Sequence, residues 1–130
     1  MINAGRERRR IGSATHLIAD VAVVFAFATA PLVLPLERTA SAVSLALAVA
    51  HATLTALVAG PARRPRAGLA TLHAGTEVAV GTLLCVAALL VPWERPSRLF
   101  FGLAGATILI VWWLTDYRAV AAPGTVAGRD

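Results

Sequence analysis

His16-Leu-Ile-Ala-Asp20-Val-Ala-Val23 recurs 57 residues later as His73-Ala-Gly-Thr-Glu77-Val-Ala-Val80. At the same offset Pro35-Leu-Glu37-Arg38 falls on Pro92-Trp-Glu94-Arg95, and Arg6 and Arg9 fall on Arg63 and Arg66. The segments align without a gap, so the chain reads as two copies of one unit. Each copy carries a His and a carboxylate four residues apart inside an apolar run. On a helix that spacing places both groups on one face, one turn apart.

The surroundings of these pairs are strongly apolar. Hydrophobic residues make up 58% of the 130 residues and charged residues 15%; the mean hydropathy is +0.72. A soluble domain of this length cannot cover that much apolar surface, and a bilayer is its natural solvent. The net charge of +5 raises the question of nucleic acid. The placement of charge argues against it: all twelve cations are Arg, and they sit between the apolar runs. The single Cys85 cannot form an internal disulfide and reads as a small apolar residue.

Four runs are long enough to cross a bilayer, which takes about 20 helical residues. They cover about 13–36, 39–60, 69–93 and 97–117. None shows the alternation of a barrel strand. Backbone groups in hydrocarbon must be satisfied within the segment, so the runs are expected to be helices. Pro35 with Glu37-Arg38 and Pro92 with Glu94-Arg95-Pro96 make two very short connections. The expected fold is an all-α integral membrane protein of four transmembrane helices, built as two tandem helical hairpins. The first hairpin is 13–60 and the second 69–117. A basic tail (1–12), a basic loop (61–68) and a flexible tail (118–130) flank them.

Arginine sets the expected direction. Arg6, Arg8, Arg9, Arg10, Arg63, Arg64, Arg66, Arg118 and Arg129 lie on one side, and Arg38, Arg95 and Arg98 on the other. Nine against three places both termini in the cytoplasm of a bacterial cell, with the protein in its cytoplasmic membrane. Arg8, Arg9, Arg10, Arg63, Arg64 and Arg66 are the expected contacts to anionic lipid heads. An even number of spans per copy keeps the direction of the repeat, which predicts a pseudo-twofold axis along the membrane normal. A cleaved leader is not expected: Asp20 and His16 interrupt the first apolar run, and the same segment recurs as span three.

Small residues mark the expected helix contacts. They are Ala22, Ala26 and Ala30 in span one; Ala42, Ala46 and Ala50 in span two; Gly75, Ala79 and Gly81 in span three; and Gly102, Gly105 and Ala106 in span four. Span two, small on nearly every side, is expected to be central. Phe100, Phe101, Trp112, Trp113 and Tyr117 gather near the ends of span four, where aromatic belts sit. A lipid-facing span four would also suit a homodimer contact or a partner membrane subunit. The tip pairs Glu37-Arg38 and Glu94-Arg95 read as exposed and of small energetic weight.

Five ionisable groups lie within the spans: His16, Asp20, His51, His73 and Glu77. An Asp at a helix centre costs about 2.5–3.5 kcal/mol on insertion scales, so such groups face inward and find partners. Asp20, His51 and Glu77 each lie ten or eleven residues from a cytoplasmic end, or about 15 Å at helical rise. The five are expected to converge on one site that opens toward the cytoplasm. They fit several chemistries. One is structural, with each His satisfying its carboxylate. Another is a path for protons or a divalent cation. A third is a site for zinc, iron or manganese. A fourth is a haem held between His16 and His73. No phosphate loop, nucleophile elbow or Cys-x-x-Cys motif is present, and no enzyme is expected.

Val91-Pro92-Trp93 following Gly81, within this four-span layout, resembles the SPW-repeat family of small bacterial membrane proteins. Those have two tandem two-helix units, each marked by a Pro-Trp near the end of its first helix. The first unit here reads Leu34-Pro35-Leu36, without the Trp, and no Ser precedes either Pro. The resemblance implies two tandem units and no activity, and it does not reach the His–carboxylate pairs. The expected role is that of a non-enzymatic accessory or structural membrane component without a required cofactor. The alternative is a small oligomeric transporter or channel subunit working through the five buried groups.

Overall fold

The structure, a computed structural model, describes residues 11–59 and 66–117, with the side chains of residues 66 and 67 excepted. These residues form four helices: α1 (Ser13–Val33), α2 (Arg38–Ala59), α3 (Arg66–Leu90) and α4 (Arg95–Leu114). Each is long and apolar enough to cross a membrane. Between 17% and 28% of each apolar span is buried, so most apolar side chains point outward, as lipid surroundings demand. Arg8, Arg9, Arg10, Arg63, Arg64, Arg118 and Arg129 lie outside the described residues, as do residues 1–10 of the basic tail, 61–65 of the basic loop and the whole of the tail 118–130.

The helix ends differ from the hydropathy limits for local reasons. The first helix stops at Val33 rather than near 36 because Leu34 precedes Pro35 and is pushed to an extended backbone. The Leu34 N–H still reaches the Ala30 carbonyl at 2.9 Å. Likewise α3 stops at Leu90, and Val91 precedes Pro92. Pro96 does not delay α4; it occupies the first turn, where a missing N–H costs nothing. At its other end α4 stops at Leu114 instead of 117, and Thr115 is extended.

Pro31 lies inside α1. Lacking an N–H, it leaves the Phe27 carbonyl without its helical partner. Ser44 of α2, fully buried, donates its hydroxyl to that carbonyl at 2.7 Å. The defect in one helix thereby becomes a contact to the next, as membrane interiors require.

Helices pack mainly within hairpins, α1 on α2 and α3 on α4. Smaller contacts of α2 with α3 and of α1 with α4 close the ring. The second helix is one corner of this arrangement and not its centre. Small side chains on every face permit approach from any side, but they select none. The third and fourth helices cross closely at Gly81 and Gly105. A Cβ on Gly105 would sit 2.7 Å from the Gly81 carbonyl oxygen and 2.9 Å from Cys85 Sγ. Gly75 has open space around it and makes no such crossing. Gly105→Ala should therefore force α3 and α4 apart, at about 1–3 kcal/mol. Gly75→Ala should be neutral. Equal thermal unfolding midpoints for the two variants in detergent would refute this.

The core joins Phe27, Ala40, Ala48, Leu84, Phe101 and Ile108. Phe101, expected in an aromatic belt, is fully buried, with Trp93 at 4.7 Å and Phe100 at 5.1 Å between ring centroids. It lies on the stripe Ser97, Phe101, Gly105, Ile108 that faces the bundle, whereas Trp113 is exposed. Position along α4 did not reveal which face each ring takes.

The two ends of the bundle are tied differently. At the hairpin tips Glu37 Oε2 accepts the Glu94 N–H at 3.0 Å, so Glu37 joins tip to tip and is not merely an exposed partner of Arg38. At the opposite end Ile11 and Thr115 form a parallel bridge. The Ile11 N–H donates to Leu114 O at 2.9 Å and the Asp116 N–H to Ile11 O at 3.2 Å.

Candidate functional site

The first hairpin supplies His16 and Asp20 from α1, and the second supplies His73 and Glu77 from α3. One helical turn separates the members of each pair, so both project from one face toward the other hairpin. All four are buried. The Nε2 atoms of His16 and His73 are 3.2 Å apart. His73 Nε2 lies 3.0 Å from Glu77 Oε1 and 3.3 Å from Asp20 Oδ2. His16 Nε2 lies 3.4 Å from Glu77 Oε1 and 3.6 Å from Asp20 Oδ2. These four atoms, two nitrogens and two oxygens, all lie within 4.8 Å of one another.

A second ring of contacts orients three of them, His16, Asp20 and Glu77, whereas His73 Nδ1 is buried without a hydrogen-bond partner among the described residues. His51 of α2 holds the other Asp20 oxygen, with Nε2 3.4 Å from Oδ1. The Tyr117 hydroxyl donates to the other Glu77 oxygen, Oε2. Tyr117 lies just beyond α4. Burial pushes its phenol above the ordinary range, the facing Glu77 carboxylate adds to this, and the hydroxyl keeps its proton. Thr115 Oγ1 lies 3.0 Å from His16 Nδ1 and donates its hydrogen to Val111 O at 2.7 Å. With its one hydrogen committed, the Thr115 oxygen must accept from His16 Nδ1–H. Neutral His16 therefore presents the bare lone pair of Nε2 to the cluster.

All five predicted groups thus meet: four at the centre, and His51 behind Asp20. Arg66, which opens α3, has no described side chain, and the other five lipid-contact arginines lie outside the described residues. Sequence reasoning missed Thr115 and Tyr117. His51 follows Asp20 by 31 residues, but Tyr117 follows Glu77 by 40, so the repeat offset carries no signal for these outer contacts.

The geometry limits the chemistry. Two imidazoles whose Nε2 atoms stand 3.2 Å apart, with carboxylates on both, leave no room for a macrocycle between them, so the haem reading fails on space. Two ionised carboxylates beside two neutral imidazoles carry two negative charges in an apolar bundle. Such charge is very costly unless compensated. One proton between the two Nε2 atoms fits their 3.2 Å separation and balances half of this charge; a proton on each would balance it all but would set two N–H donors against each other. A dication at the centre would balance the charge and accept all four lone pairs. Comparison with protein-family models, with curated proteins and with solved structures finds no match.

Proposed function

We propose that this is a small, non-enzymatic protein of a bacterial cytoplasmic membrane whose buried His–carboxylate cluster binds a divalent cation. The observation that carries this reading is the convergence of two nitrogens and two carboxylate oxygens from opposite hairpins, within 4.8 Å of one another. We read the chain as a duplicated hairpin with a pseudo-twofold axis along the membrane normal. The 57-residue repeat supports it, as do the contacts of His16 with His73 and of Glu37 with Glu94, both at that offset. The excess of arginine at the basic tail and basic loop supports cytoplasmic termini. The cluster lies at the same end as the Ile11–Thr115 bridge and so near the cytoplasmic face.

The test is thermal unfolding of the metal-depleted protein in detergent against a panel of Zn2+, Mn2+, Fe2+, Co2+, Ca2+ and Mg2+. A ligand that binds only the folded state at about 100 times its Kd stabilises by about 2.7 kcal/mol. At least one cation is expected to raise the unfolding midpoint by several degrees. The Asp20→Asn/Glu77→Gln variant should lose every such shift. A wild type that responds to none of the six ions overturns the reading.

A further inference from the structure

We infer that the bound ion is a tetrahedral transition metal of the zinc class, held by His16 Nε2, Asp20 Oδ2, His73 Nε2 and Glu77 Oε1, and that it staples the two hairpins together. This inference rests on the cation-binding reading and names the ion and its task.

The first argument is metric. Zinc takes nitrogen and oxygen ligands at about 2.0–2.1 Å, so the edges of a regular tetrahedron around it are about 3.3–3.4 Å. The nitrogen–nitrogen edge here is 3.2 Å. The four nitrogen–oxygen edges are 3.0, 3.3, 3.4 and 3.6 Å. Five edges of the cluster therefore scatter about the value a zinc-sized tetrahedron needs; the sixth, between the Asp20 and Glu77 oxygens, is bounded only by 4.8 Å, and drawing the two carboxylates in onto the ion would complete the figure.

The second argument is chemical. Half of the donor set is imidazole nitrogen, which suits zinc, iron, copper and nickel. Magnesium and calcium prefer oxygen ligands and more of them. A tetrahedral arrangement disfavours the tetragonal Cu2+ and Ni2+. The tautomer agrees at one of the two histidines: His16 Nδ1–H is held by Thr115, which frees Nε2 for the ion, while His73 Nδ1 has no such acceptor among the described residues. A histidine that donates its distal N–H to a fixed acceptor is the usual form of a metal ligand. Each carboxylate likewise has its second oxygen occupied, Asp20 by His51 and Glu77 by Tyr117, which leaves one oxygen apiece for the centre.

The third argument concerns the task. Four protein ligands complete a zinc coordination shell, and a closed shell marks a structural site; catalytic sites keep a position open. The ligands come two from each hairpin, across the interface where helix packing is sparser than within hairpins. An ion there holds together what side-chain packing holds weakly.

The experiment uses the full chain, purified in detergent, stripped of metal and titrated with Co2+. Cobalt reports its own coordination number through its visible absorption. The expected result is saturation at one ion per chain, with the intense blue spectrum of four-coordinate cobalt, bleached by one equivalent of Zn2+. Single His16→Ala and His73→Ala variants should lose that band. His51→Ala, outside the coordination shell, should keep its shape with affinity lowered about 10–100-fold. A weak six-coordinate spectrum overturns the tetrahedral assignment while leaving a divalent site in place. Binding of Mg2+ or Ca2+ as tight as Zn2+ does the same. A blue band that survives loss of either histidine overturns the ligand set. Failure of every ion in the unfolding panel overturns both readings together.

Discussion

Replacing His16 and His73 together by alanine is expected to be the most damaging change this chain can suffer. Both Nε2 atoms lie within 3.0–3.6 Å of Asp20 and Glu77. Without them Asp20 Oδ2 and Glu77 Oε1, within 4.8 Å of each other, face one another across an apolar bundle. The cation that the two imidazoles help to hold is lost with them, and a buried charge left uncompensated costs about 3–5 kcal/mol. Two such costs approach the whole stability of a small domain, about 5–15 kcal/mol. Elemental analysis should find about one transition-metal ion per wild-type chain and essentially none in the double variant. Yield and unfolding midpoint should fall with it. Adding Asp20→Asn and Glu77→Gln to that variant removes the stranded charge. It should restore insertion and most of the midpoint but not the metal. A double alanine variant that keeps its metal, or unfolds at the wild-type temperature, contradicts this account of the cluster.

Tyr117→Phe carries the second largest expected effect, although Tyr117 touches neither histidine lone pair. Its hydroxyl is the donor that occupies Glu77 Oε2, and burial keeps it protonated. The phenyl ring preserves the packing against His16, whose ring lies 5.4 Å away. What is lost is one charge-assisted hydrogen bond to a buried carboxylate. An unsatisfied buried acceptor costs about 1–3 kcal/mol. Loss of an outer partner weakens metal sites by about 10–100-fold. The Zn2+ isotherm of Tyr117→Phe, measured by competition with a chromophoric chelator, should show that fall at unchanged stoichiometry. An unaltered isotherm would mean that Glu77 is oriented by its helix alone.

Hydropathy and the 57-residue offset make the four spans and the His–carboxylate pairs legible in the sequence alone, because both are periodic properties of the chain. Boundaries were less legible. Apolar runs continue through Leu34 and Val91, while the backbone obeys the prolines that follow. Face assignments were weaker still. Phe101 and Trp113 belong to the same apolar helix, and only the opposing side chains bury one and expose the other. The role of Ser44 is not written in its own helix, since its acceptor exists only because Pro31, in another helix, vacates a carbonyl. Thr115 and Tyr117 were hidden for a similar reason. They reach His16 and Glu77 because α4 ends at Leu114 and the chain there turns onto Ile11. Hydropathy places Tyr117 inside a span and so aims it at lipid.

The pairing of Ile11 with Thr115 bears on how such a chain can be rearranged. The segments leading into α1 and out of α4 run side by side at one end of the bundle. Chains whose ends lie close together tolerate circular permutation. A gene that read the second hairpin first, with Tyr117 spliced to Ile11 through a few linking residues, would specify the same four-helix ring. Each hairpin keeps its own tip, and the Glu37–Glu94 contact joins the tips whichever comes first. The bundle is in this sense indifferent to reading order.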